Sequence, residues 1–506
     1  MGLLFESGDI DILEPVLEEK NECRLETDVY LPDYLPDVQK LLRCEIIPRV
    51  ASRDMLAGRI TVEGEAEIRA FYRSADDGIS CAVALKEFSH TFAVNEPDAD
   101  YDISTETVAT VNSARASGPR KISVKAEVVT SLIAAKNSVL QIAETVSECV
   151  EARKETISAI SNAESAEREI RVTEELELPE TLPDISVLLF TDATTKVNEA
   201  SAGKGRCVIK GDLNVKPVGI TADGKLVKSE FRFPISQILD IPNLDEDYVC
   251  DADLQIVSVY AEAERDSEGK NKIIDCEVVI NAILHAYKSS EYEIITDVFS
   301  PHAELSEEYT EAKYLTCYDF YRDEKTIKGK IETENGIISV ADVSASPKIM
   351  RVSEDGGCLK AEGLVVADII YDTESNGISV KKSEIPFEFS FPYNCDYQLR
   401  CETDLSINSI SYNISDDNAV DLRCDVALKA SVCAERKLRA VSEISESGEK
   451  QFCEHCPVIL YFAETGESAW EIAKKYGASF SGIMSENELE CDEITSPKML
   501  FIPLNR

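Results

Sequence analysis

The sequence predicts a mainly β chain: three tandem antiparallel β-sandwich-like domains followed by a small α+β module of βααβ order. Three observations predict it. A proline-rich motif at Leu31–Leu42 returns at Leu178–Leu189, apolar residues in the strands alternate with period two, and the last fifty residues alternate strand and helix signals.

The repeat comes first because it sets the domain count. Leu31–Leu42 reads LPDYLPDVQKLL and Leu178–Leu189 reads LPETLPDISVLL. Leu31, Pro32, Leu35, Pro36, Asp37, Leu41 and Leu42 recur as Leu178, Pro179, Leu182, Pro183, Asp184, Leu188 and Leu189. The register continues, with Val50 matching Val197, and ITVEGEAEI with Gly64 matching VIKGDLNV with Gly211. A more divergent third copy carries LKAEGLVVADIIY with Gly363, and TCYDFYRDEKTIKGKI from Thr316 stands roughly where its proline-rich opening would be.

Each copy then runs through a turn: Asp76–Gly78, Ala222–Gly224 and Ser375–Gly377. Glycine suits these turns because hairpins need positive φ. Aromatic strands follow from Glu87, Glu230 and Ile385, and strongly apolar ones from Ile122, Ile273 and Val420, with Glu127, Glu277 and Asp425 at matching positions. Phe231, Phe233, Ile235 and Phe387, Phe389, Phe391 alternate as half-buried strands do. Many short strands with turns between them predict a sandwich in each copy.

The expected domains are 1–160, 161–305 and 306–445, then a polar linker at 446–455 and the last module at 456–506. Val146–Glu169 is rich in Ala, Ser and Glu. It reads as a helix packed on its neighbours or a flexible connection, with the helix favoured.

Asp and Glu number 95 against 52 Lys and Arg, a net charge of -43. Such a polyanion repels nucleic acid and anionic lipid and accommodates a basic partner, although acidity also serves solubility. Sixteen cysteines stand mostly singly in apolar stretches, and Met1–Ile10 (MGLLFESGDI) carries acids where a secretory signal is basic. Free thiols in a reducing cytoplasm are expected. No run of 18 uncharged apolar residues occurs, so no membrane insertion is expected.

The chemistry of an enzyme is not legible. Gly203-Lys204-Gly205-Arg206 lacks the helix and hydroxyl of a phosphate cradle. His90, His285, His302 and His455 are scattered, and Cys453 and Cys456 form a lone C-x-x-C pair best read as linker thiols. The expectation is a non-enzyme with no catalytic residue, metal ligand or cofactor.

In the last module, a strand at Leu460–Ala463 leads to Gly466, Ser468 is placed to cap a helix carrying Trp470, Ile472, Ala473 and Tyr476, and Gly477 ends it. A second helix near Ser481–Asn487 and a strand at Met499–Pro503 complete the order. Tyr461, Gly466, Trp470, Ile472, Ala473, Tyr476, Gly477, Asn487, Pro497, Leu500, Ile502 and Pro503 stand where the LysM family's pattern has them, and the module resembles a LysM domain. The resemblance implies a groove between the first loop and the loop before the last strand, with Gly466, Glu467, Ser468, Trp470, Lys474, Ile494 and Pro497 as binding candidates. Trp470 is read mainly as core, with an edge that could reach the binding face. Lys474 and Lys475 are read as a solvated helix face or a contact for an acidic partner. Two departures, Glu467-Ser468-Ala469 for the usual D-T-L and Lys498 for a glycine, combine with Glu486, Glu488, Glu490, Asp492 and Glu493 to disfavour a sugar polymer and favour a protein ligand.

The whole chain resembles the SipL-type spore-envelope proteins, built of SPOCS domains with a terminal LysM. The L-P-x-x-L-P-D opening, the central V-x-G strand and the aromatic hairpin carry the likeness. It implies a non-enzymatic scaffold in the mother-cell cytoplasm, at the outer forespore surface, with the LysM on a SpoIVA-like coat protein and contacts to other coat proteins. The alternative is a wall-associated protein binding peptidoglycan or another N-acetylglucosamine polymer.

Overall fold

The computed structural model describes residues 4–75, 77–97, 99–222, 224–266, 269–373, 377–393, 397, 399–449 and 458–504. One six-strand pattern occurs three times. In the first unit, β2 (Val38–Leu56), β3 (Arg59–Ser74) and β4 (Ile79–Ala93) form a meander. The longer β1 (Phe5–Tyr30) and β6 (Lys121–Val146) pair with each other, and β5 (Tyr101–Gly118) pairs with β6 to give the second sheet, order β1-β6-β5.

The second unit repeats this with β7 (Glu151–Glu177), β8 (Val187–Gly203), β9 (Arg206–Ile220), β10 (Leu226–Lys228), β11 (Phe231–Asp240), β12 (Val249–Arg265) and β13 (Asn271–Phe299). Here the outer meander strand is broken into β10 and β11, both pairing with β9. The third uses β14 (Ala303–Glu332), β15 (Ile337–Asp355), β16 (Cys358–Thr373), β17 (Gly377–Pro392), β18 (Leu399–Asp416) and β19 (Ala419–Glu449). All the pairings are antiparallel.

The central-strand glycines show why the units match. Gly64, Gly211 and Gly363 each stand opposite a β-bulge, at Val50/Ser52, Val197/Glu199 and Ile349/Arg351. The bulge drives the carbonyl of Arg49, Lys196 or Lys348 into the space a Cβ would fill. On the other side Phe88, Leu254 and Phe387 close over the same glycines. A side chain at any of them would collide with backbone, so the glycine follows from the bulge.

The proline-rich opening closes one end of the sandwich. Leu31 and Leu178 donate their N–H groups to the carbonyls of Arg120 and Lys272 (3.1 and 2.8 Å), and Leu35 and Leu182 turn back onto Pro32 and Pro179. In the third unit Thr333 makes the equivalent bond to Asn418 (2.9 Å), and only Thr333–Gly336 separate β14 from β15. The segment from Thr316 does not occupy this place: it lies inside β14. Among the turn glycines, Gly224 and Gly377 take positive φ, but in the first unit Asp77 does so, at 62°, and Gly78 does not. Asp76, Asp223, Ser375 and Asn376 of these turns lie outside the described residues.

Val146–Glu169 is not a helix: β7 runs through it and pairs with β13 along its whole length. Local propensity for helix is overridden because the small side chains Ala159 and Ala163 pack beside Ile157 and Ile160 into shared cores. The changeovers fall at residues 147–150 and 300–302; positions 160, 305 and 445 lie inside β7, β14 and β19. The reading of 446–455 as a linker fails at 446–449, which extend β19, while 450–457, including Cys453, His455 and Cys456, lie outside the described residues.

The units form a closed ring. Past Lys136, Tyr287 and Ala434 the last strands lose their third partner and continue as two-stranded ribbons with β1, β7 and β14. The three ribbons pack together through Ile12, Ile142, Ile157, Ile294, Tyr314 and Leu438. The meanders meet again at the other end through Phe71, Phe190 and Ile370. There Arg69 pairs with Asp192, and Arg43 and Lys228 both pair with Asp342. A cavity of about 1240 Å³, lined by both apolar and charged side chains, lies among the units.

Around that cavity the contacts run head to tail. Asp102, Asp251 and Arg400 hold matching places on β5, β12 and β18, opposite Ala135, His285 and Cys433. Asp102 reaches the second unit, 2.6 Å from both His285 Nδ1 and the Tyr287 hydroxyl. Asp251 reaches Lys429 (2.9 Å) and Ser431 (3.1 Å) in the third. Arg400 returns to Glu18 in the first.

Candidate binding site in the C-terminal module

The terminal module consists of β20 (Val458–Ala463), α1 (Ala469–Tyr476), α2 (Phe480–Glu486) and β21 (Lys498–Pro503). Ala463, Ala469, Ile472, Ala473, Ile483, Leu500 and Ile502 build its core.

Ser468 caps α1, its Oγ accepting from the Glu471 N–H at 3.3 Å. Gly477 ends the helix at φ 61°, donating to the Ala473 carbonyl. Asp492, from the loop before β21, shares the cap: it accepts from the Ser468 hydroxyl (2.9 Å) and from the Trp470 N–H (2.8 Å). An acid at a helix N-terminus satisfies free backbone donors and meets the positive end of the dipole.

The two loops are closed on each other. The Gly466 N–H donates to the Ile494 carbonyl and the Ile494 N–H to the Glu467 carbonyl, both at 2.8 Å. The Ala469 N–H donates to the Asp492 carbonyl, also at 2.8 Å. The Glu467 carboxylate is held inside its own loop by the Tyr461 hydroxyl (2.7 Å) and the Glu464 N–H (2.8 Å). Those bonds hold its carboxyl below the usual carboxylate range.

The predicted binding residues therefore divide. Gly466, at φ 90° with open space on its Cβ side, and Pro497 stand exposed on the two loops. Glu467 and Ser468 are half-buried, their side chains used for loop closure and capping. Ile494 is 1% exposed and belongs to the core, so only its backbone reaches the loop contact. Trp470 and Lys474 do not face the groove; they face the β-body.

The Trp470 side chain is buried, its Nε1–H donating to Asp297 Oδ2 at 2.7 Å, and its ring meets Phe299 edge-on at 4.9 Å and Phe480 at 5.5 Å. Lys474 Nζ lies 2.6 Å from Asp297 Oδ1 and 3.6 Å from Glu307. Arg153 of β7 pairs with Asp492 at 3.1 Å. Burial alone would raise the Asp297 carboxyl, but the Lys474 ammonium and the Trp470 N–H outweigh it and hold the group below the usual range. Burial likewise opposes the Lys474 charge, and Asp297 with Glu307 more than restores it. Lys474 is thus neither a solvated face nor a contact for an outside acid: its acidic partners lie in the same chain. Sequence reading could not find Asp297, Phe299, Glu307 or Arg153, because no local signal marks residues whose partners are far away in the chain.

Among the described residues, no helix is long and apolar enough to cross a membrane. Comparison with curated proteins gives no match. The model of the LysM domain family matches residues 464–503. The docked βααβ module of this β-rich chain is a LysM domain.

Proposed function

We propose that this chain is a non-enzymatic adaptor in assembly of the spore envelope, related to the SipL-type proteins. In this reading the three β-units are SPOCS domains, the chain works in the mother-cell cytoplasm at the outer forespore surface, and the LysM domain docks on a basement-layer coat protein of the SpoIVA type. The observation that carries it is the closed loop pair. Gly466, Glu467 and Ile494 spend their backbone groups on each other, and the carboxylates of Glu467 and Asp492 are already engaged. A sugar N-acetyl group would have to displace those bonds beside acidic side chains, an unfavourable exchange. The ring of three matched units offers a rigid support with several faces, suited to binding on a polymeric surface where avidity adds up.

The second reading, binding of peptidoglycan or another N-acetylglucosamine polymer, is favoured by the family match and by the exposed Gly466 and Pro497. One experiment separates them: retention of the full chain, and of a chain ending at Glu449, on immobilised SpoIVA-type protein and on chitin or peptidoglycan. The adaptor reading expects retention on the protein that is lost with the LysM domain. Retention on the glycan alone would support the wall reading instead.

A further inference from the structure

The two strands of the LysM domain are apolar on both faces. Ile459, Tyr461, Ala463, Leu500 and Ile502 turn inward. Val458, Leu460, Phe462, Met499 and Phe501 turn outward and stand 48–63% exposed. The register puts Leu460 beside Phe501 and Phe462 beside Met499, so the outward residues form one continuous strip. A two-stranded sheet with one solvated face would alternate apolar with polar residues. Every outward position from Val458 to Phe462, and both Met499 and Phe501, breaks that rule in the same direction.

We propose that this outer sheet face is the docking surface of the LysM domain, and that its occupant is a protein with an apolar patch bordered by lysine and arginine. The proposal deepens the adaptor reading and rests on it. Three features select this occupant. The side chains that might otherwise serve are consumed within the chain, Trp470 and Lys474 against Asp297 and the loops against each other. The Asn487 side chain donates to the Phe501 carbonyl and accepts from the Phe501 N–H, both at 2.7 Å, which blocks strand addition along β21. Finally, Glu464 follows β20 directly and Glu486, Glu488 and Glu490 lie in the segment leading to β21, in a chain of net charge -43. A second copy would bring like charge against like, whereas a basic rim on a different protein is attracted. The strip is about 20 Å long at ~3.3 Å per residue, the size of a modest, reversible contact.

The test is binding of the full chain to immobilised SpoIVA-type protein, comparing wild type, Leu460→Lys, Phe501→Glu, the loop variant Thr495→Ala at an exposed position, and the chain ending at Glu449. Emission of Trp470, the single tryptophan, checks that each full-length variant keeps the docked fold. The proposal expects Leu460→Lys and Phe501→Glu to lose affinity at least tenfold, the loop variant to bind as wild type does, and wild-type binding to weaken as salt rises. Wild-type affinity in both sheet variants, with loss only on truncation, overturns the docking face and leaves the adaptor reading standing. Equal binding with and without the LysM domain overturns both. A change of oligomeric state in the sheet variants assigns the face to a second copy and overturns the proposal; salt-independent binding overturns the basic partner.

Discussion

Asp297 is the residue on which docking of the LysM domain turns, since one carboxylate holds both the Trp470 indole and the Lys474 ammonium. Asp297→Ala leaves the buried indole N–H without its partner and Lys474 with Glu307 alone, a loss of about 1–3 kcal/mol for the unsatisfied N–H. The expected outcome is a red-shifted, more quenchable Trp470 emission while the β-body melts as before; unchanged emission would show that packing against Phe299 and Phe480 holds the ring without Asp297. The pH dependence follows from the sign of the shift. The Asp297 carboxyl is held below its ordinary value. Its contribution is therefore fully present above about pH 4, the unfolded carboxylate range, and is lost as pH falls through the lower folded value. Acid titration of Trp470 emission should show undocking below about pH 4 in wild type and no such step in Asp297→Ala.

At the scale of single elements, a glycine opposite a bulge is the clearest local rule. Gly363→Ala would push a methyl into the Lys348 carbonyl and the Phe387 ring, so the third unit should lose about 1–3 kcal/mol or more by denaturant unfolding. Alanine at Gly336, where the nearest atoms are 3.8 Å away, is the control and should cost far less. The LysM elements were legible because caps are local: Ser468 and Gly477 mark both ends of α1 within a few residues. The first half of β7 was not legible. Its Ala, Ser and Glu carry helix propensity, and its pairing with β13 is a contact between residues more than 100 positions apart.

The whole molecule is a ring rather than a string of beads, and its joints are charged. The Asp102–His285 pair joins the first unit to the second, and burial opposes both charges. Their mutual attraction prevails, placing Asp102 below the carboxylate range and His285 above the ordinary histidine value. The Asp102 contribution is present above about pH 4 and lost on further acidification. The His285 contribution is full below about pH 6.5 and lost as pH rises through its raised pKa. The joint should be strongest between those limits. His285→Gln should lower the melting temperature most in that window and flatten the alkaline limb; a parallel shift at every pH would argue against the ion pair. Because the cores at both ends are shared by three units, a chain ending at residue 302 should expose Ile12, Ile157 and Phe71 and aggregate. A chain ending at Glu449 should remain soluble in sedimentation.

The sequence by itself determined the antiparallel β-class, the recurrence of one unit and the βααβ module. These rest on local quantities: the two-residue period, turn chemistry, helix caps, and a motif repeated along the chain. Only the tertiary structure decided that the three units close head to tail around a cavity, and that Trp470 and Lys474 face inward on Asp297. It also showed that the exposed LysM surface is an apolar sheet face. Such outcomes depend on which distant side chains meet in low-dielectric surroundings, and neither the spacing nor the composition of one segment contains its partner's position.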